Sequence, residues 1–155
     1  MGKTNIKTVT TSPYVFFLIS VLFFSCSRSN NLPHWIEGKW VTSLDDELIH
    51  ENWTVHHNYI SGENYMFYEN RFQRERLRIF ERDRILYYRI IIEKDTLLFT
   101  CDHYLDTDTL TFVNNQNSFP KRINYARGNG NEMSVWIGNS AKDPNSIFFT
   151  FKKVK

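Results

Sequence analysis

Cysteine is nearly missing from this chain: there are two in 155 residues, Cys26 and Cys101. That count excludes a disulfide framework, and any intramolecular bridge at all once Cys26 is used for something else. Glycine is sparse at six residues, and no Gly-rich phosphate loop appears. Heptads and repeats are absent, and there is almost no helical periodicity. Charge of one sign is lacking too. The formal net charge is +2, without the basic field that a general nucleic-acid binder needs, and no nucleic-acid partner is expected. No apolar run reaches the ~20 residues that a membrane-spanning helix requires. Aromatic side chains, by contrast, are plentiful at 16%.

The first 25 residues read as a targeting segment rather than as fold. Lys3 and Lys7 are the only charged residues before Cys26, and they account for the whole excess of 19 basic over 17 acidic residues. Tyr14 to Phe24 is an apolar stretch of signal-peptide length. Phe23-Phe24-Ser25-Cys26 follows it directly, a small residue just before a cysteine. This resembles the lipobox of bacterial lipoproteins, with Phe standing where Leu and a small residue are usual. The resemblance implies diacylglyceryl attachment at Cys26 and cleavage before it. Ser27 to Pro33 then reads as a polar tether. With neither a retention signal nor an acidic run after Cys26, the expected address is the cell envelope, on the periplasmic face of the outer membrane. The expected division is a signal peptide at 1–25, a lipid-anchored tether at 26–33 and one domain at 34–155.

The domain reads as short strands at regular spacing. Trp35 and Ile36 suggest a helical turn that closes a barrel end. Strands are expected over Gly38–Ser43, Glu47–Val55, Tyr59–Glu69, Arg74–Phe80, Arg84–Glu93, Thr96–Leu105, Thr109–Val113, Arg122–Tyr125, Glu132–Ile137 and Ile147–Val154. Turn residues lie between them, clearest at Arg127-Gly128-Asn129-Gly130-Asn131. Gly62 reads as a bulge or bend inside its strand. In Phe112 to Tyr125, a polar loop at Asn114–Ser118 is followed by Phe119 plugging back into apolar surroundings, Pro120 fixing the turn, and Ile123 and Tyr125 sharing a face. The fold class is therefore all-β, a single antiparallel barrel of about 8–10 strands.

Two places carry a resemblance. Trp35-x-x-Gly38-x-Trp40 resembles the G-x-W opening of lipocalin-like (calycin) barrels, and Glu51-Asn52-Trp53 looks like the E-x-W that follows it in one bacterial family of unknown function. The stretch from Phe112 to Tyr125 is similar to that family's signature F-x-N-P-x-H-D-F-P-x-R-I-x-Y, matching at Phe112, Asn114, Phe119, Pro120, Arg122, Ile123 and Tyr125. The resemblance spans roughly Pro33 to Lys153 and implies a lipocalin-like barrel in a lipoprotein context. Asn115 replaces the family's Pro, and its His-Asp pair falls on Asn117 and Ser118. If that pair binds a metal or does acid-base work in relatives, that role is lost here, since Ser cannot replace an ionised carboxylate, while Asn and Ser can still hydrogen-bond a polar ligand.

Candidate site residues follow. Trp40, Trp53 and Trp136 either line a ligand cavity or fill the core. Arg74, Arg76 and Arg78 share a strand face, with Arg89 nearby. Turned outward they are a solvated face paired to acidic neighbours, and turned inward a carboxylate or phosphate site. Leu77 and Ile79 mark the opposite face as the core side. Arg122 is the better candidate for a ligand-facing cation, because the resemblance places it in the signature. His50, His56 and His57 lack recognised zinc-ligand spacing, and no metal is expected. Cys101 and His103 share a face, but no orienting group or oxyanion element accompanies them.

The expectation is a lipid-anchored, non-enzymatic envelope protein, anchored to the membrane through Cys26. It is expected to bind a small, partly apolar ligand, with Trp40, Trp53, Phe119, Arg76, Arg122 and Tyr125 as candidate contacts. No cofactor is expected. The alternatives are a filled barrel that works through its outer surface, and a haem or metal binder for which His103 is the nearest candidate ligand.

Overall fold

Strict alternation along the strands decides which side chains meet. The computed structural model describes residues 32–68, 71–103 and 108–155, so Cys26 and its tether as far as Asn31 lie outside the described residues. Ten strands follow one another: β1 (Gly38–Leu44), β2 (Glu47–Val55), β3 (Tyr59–Tyr68), β4 (Arg71–Arg82), β5 (Ile85–Ile92), β6 (Asp95–His103), β7 (Thr109–Val113), β8 (Arg122–Arg127), β9 (Glu132–Gly138) and β10 (Ile147–Lys153). Each pairs antiparallel with its neighbour in sequence, and β1 pairs with β10, closing an up-and-down barrel. The fold is thus all-β and antiparallel, compatible with the lipocalin-like expectation.

The scarcity of glycine shows in the turns. Asp45-Asp46 and Asp83-Arg84 are two-residue hairpin loops in which both residues have positive φ. This is the turn whose twist matches the flanking strands, and Asp tolerates it through local hydrogen bonding. Glu93, opening the β5–β6 turn, also has positive φ.

Gly62 does not form a bulge. β3 runs through it in regular register, with Trp53 on one side and Leu77 on the other. A Cβ there would stand 2.6 Å from the Trp53 ring, so the glycine makes room for an indole. The register shift lies instead between Cys101 and His103, where β6 meets β7.

The interior holds Trp40, Ile49, Trp53, Ile60, Leu77, Ile79, Tyr88, Phe99, Leu110, Phe112, Ile123, Tyr125, Met133, Val135 and Phe151, all buried. A short 3-10 turn, His34–Ile36, packs Ile36 into one end of this core, where the Trp40 Nε1 donates to the Ile36 carbonyl at 2.8 Å. We call this the capped end. At the opposite, distal end lie the Asp45-Asp46 and Glu93-Lys94 turns and the β7–β8 and β9–β10 loops. There the interior-facing Met66, Leu97, Ile137 and Phe149 are only partly buried.

Candidate functional site: a carboxyl inside the barrel

On β2, residues two apart share a face. Ile49, Glu51 and Trp53 therefore all point inward, and Glu51 is the one charged residue among those fully buried in the described part of the chain. Its Oε2 accepts from the Trp53 Nε1 at 2.9 Å, and its Oε1 accepts from the Tyr125 hydroxyl at 3.2 Å. The Tyr125 and Tyr88 hydroxyls are 3.0 Å apart. With Glu51 ionised, Tyr125 spends its proton on the carboxylate, so Tyr88 donates to Tyr125. The rings form the walls of this network. Trp53 meets Tyr125 edge-on at 5.9 Å, and Tyr88 packs on Phe112 at 5.1 Å.

Burial pushes the Glu51 carboxyl up to about 7, against the lowering effect of the Trp53 and Tyr125 hydrogen bonds, and the charge of Glu75 adds to the rise. Glu75 is raised as well, by its own burial. Burial and the nearby Glu51 charge hold the Tyr88 and Tyr125 phenols well above their usual range, so both stay protonated donors.

The ladder places these groups in one row. Trp40 faces Glu51, Glu51 faces Asn64, Asn64 faces Glu75 and Glu75 faces Ile92 across β1 to β5. Burial falls along it, from sealed Trp40 and Glu51 to partly buried Asn64 and Glu75 and exposed Ile92. At its outer end lies a depression of about 710 Å³, to which Gln73, Glu75 and Ile92 contribute from the interior face and Phe72, Arg74, Arg76 and Ile91 from the outer one. Among the described residues no ion pair reaches Glu51 or Glu75.

The residues singled out in the sequence part company here. Trp40, Trp53 and Tyr125 are interior and buried. Arg76 is exposed on the outer face of β4, since Leu77 and Ile79 take the inner one, so it does not line the interior. Arg122 also stands outside and pairs with Asp102 at 3.0 Å. Phe119 does not plug inward but is 42% exposed. Trp136 alternates with buried Met133 and Val135 and so faces outward. In the signature stretch, Asn114 accepts from the Gln116 amide and donates to the Leu98 carbonyl, and Asn117 donates to the Pro120 carbonyl. Asn117 thus closes its own loop.

His50 stacks on Tyr65, and His56 stacks on Tyr59 and bonds Ser61. No group of three metal-ligating side chains occurs among the described residues. Cys101 is partly buried against the core. Glu51, named above only as part of a motif, is not among the candidate site residues that the sequence yields. Its signal was present in Glu51-Asn52-Trp53, because a spacing of two puts the acid on the face of the buried tryptophan. Comparison with protein-family models, with curated proteins and with solved structures finds no match for this chain.

Proposed function

We propose that this protein binds a small, partly apolar molecule at the distal end of its barrel, held at the cell envelope by acyl chains on Cys26. The observation that supports this reading is the row Glu51–Asn64–Glu75. Two carboxyls sit on the interior face with no cation within ion-pair range among the described residues. Burying an acid without a countercharge costs stability, and a packed apolar row there would be simpler. The partly buried Met66, Leu97, Ile137 and Phe149 supply apolar contact at the same end. Arg74 and Arg76 border the distal depression only from the outer face of β4, while Glu75 lines it from the interior face, so the polar end of a ligand that enters the barrel meets carboxyl groups. It is therefore a hydrogen-bond donor, an amine or a hydroxyl, and not a fatty-acid carboxylate. We read the protein as a binder rather than an enzyme, because both Glu51 oxygens are engaged by the barrel wall.

A second reading has its own support. Tyr88, Tyr125, Phe99, Phe112 and Phe151 are fully buried at the centre, and a filled barrel works through its outer surface. Native mass spectrometry of the full chain, released from detergent micelles, separates the two. A stoichiometric small molecule that is lost in Glu75→Ala supports the carrier. A clean protein mass that a panel of amphiphilic amines and alcohols leaves unchanged sinks it. In the same spectra the anchor predicts an added acylated mass that disappears in Cys26→Ala.

A further inference from the structure

The outer wall carries a second polar feature, independent of the interior. On β4 and β5 the register sets Arg78 directly opposite Arg89. Like charges at directly facing positions of an antiparallel pair destabilise a sheet, and opposite charges are the usual choice there. Arg76 lies two residues along on the same face. Glu63 faces Arg76 across the β3–β4 ladder, yet it forms its ion pair with Arg74. Among the described residues no ion pair reaches Arg76, Arg78 or Arg89.

The three arginines border one groove of about 420 Å³, together with Thr54, Tyr59, Ser61 and Glu63, whose carboxylate is engaged by Arg74. Two of its basic side chains rest on aromatic rings, Arg78 on Tyr59 and Arg89 on Phe80. The Arg78 guanidinium lies 3.7 Å over the Tyr59 ring, and Tyr59 is itself stacked on His56. Stacking uses the face of the guanidinium and leaves its in-plane N–H donors available. The Arg89 Nε is buried with no acceptor, and a buried donor left unmet is costly. A tetrahedral oxyanion between the Arg78 and Arg89 guanidinium groups would relieve their repulsion.

We propose that this groove is a binding site for a phosphoryl group, carried either by a soluble phosphate ester or by a phospholipid headgroup. Bidentate guanidinium pairing suits that group, and the Thr54 and Ser61 hydroxyls border it. The test uses the full chain in neutral detergent. Inorganic pyrophosphate and monomeric dihexanoyl phosphatidylglycerol are titrated separately by calorimetry, with dihexanoyl phosphatidylcholine as the zwitterionic control. Saturable binding of one or both anions is expected. It should weaken at least about tenfold, or 1.4 kcal/mol, in Arg89→Gln and in the exposed Arg76→Gln, the second guarding against a folding defect in the first. Pyrophosphate binding alone assigns a soluble ligand, and preference for the anionic lipid assigns a headgroup. Absence of binding, or binding that neither substitution changes, overturns the site.

Discussion

Glu51 connects residue chemistry to a measurable pH dependence. In an unfolded chain its carboxyl titrates near 4.5, whereas in the barrel burial raises it to about 7. The folded state therefore holds the proton more tightly. The stability that this preference contributes is complete below pH about 4.5, declines as pH rises to about 7, and is gone above that. The shift corresponds to on the order of 3 kcal/mol, and the raised carboxyl of Glu75 acts in the same direction. Glu51→Gln keeps the shape, lets the amide oxygen accept from Trp53, and cannot ionise. Urea denaturation at pH 4.5 and pH 8 should show the wild type losing stability across this window and E51Q losing much less. At pH 8 the variant should be the more stable by up to about 3 kcal/mol. Parallel curves for the two proteins would mean that Glu51 is not buried as described. Tyr125→Phe is the complementary change: it strips one bond from the carboxyl, costs about 1–3 kcal/mol, and, by removing a bond that holds the folded carboxyl down, extends the decline in stability to higher pH.

At the scale of elements, alternation was legible wherever it was clean. In β4 the arginines at 74, 76 and 78 and the apolar residues at 77 and 79 separate by parity alone, and the structure keeps them on opposite faces. Both edges of β2 and β7 also stand where their turn residues place them. Facts that depend on a distant strand could not be read in this way. Glycine in a strand usually signals a bulge, and nothing local to Gly62 says that an indole from β2 covers it. The row from Glu51 to Glu75 likewise exists only once the register of three strands is known. Phe119 was misplaced because a Phe-Pro pair looks apolar, while the backbone of its loop is satisfied by Asn114 and Asn117 without burying that ring. The account of β3 makes a sharp prediction. Gly62→Ala pushes a methyl into the Trp53 ring with no flexible side-chain end to yield, and overpacking of this kind costs typically 1–3 kcal/mol. Thermal denaturation should show that loss, and in a Trp53→Leu background, where the indole is already gone, the same Gly62→Ala change should cost much less. A Gly62→Ala protein as stable as wild type would remove the close packing of β2 on β3.

For the whole molecule, closure rests on its shortest seam. β1 and β10 share only the register pairs Trp40–Lys153 and Val41–Lys152, extended by the Val154 amide donating to the Lys39 carbonyl at 2.8 Å. Gly38 sits beside this seam at φ +129, and a Cβ there would stand 2.4 Å from the Lys153 side chain. Phe151, buried just inside, anchors β10 to the core. The rest of the barrel is a chain of nearest-neighbour hairpins that close locally, so the seam is the one strand pairing that joins the two ends of the domain. Opening it leaves two unpaired edges, on β1 and on β10, and such edges pair with other copies. Phe151→Ala should therefore do more than the ~3–5 kcal/mol typical of a lost buried phenylalanine. It should also make the protein self-associate, seen as a concentration-dependent rise in mass by light scattering at temperatures where secondary structure persists. Phe112→Ala removes a ring of the same size from the centre of the barrel, far from the seam. It should destabilise comparably without promoting association below its melting transition. If both variants stay monomeric until they unfold, the seam is no weaker than the other strand pairs and the barrel opens only by global unfolding.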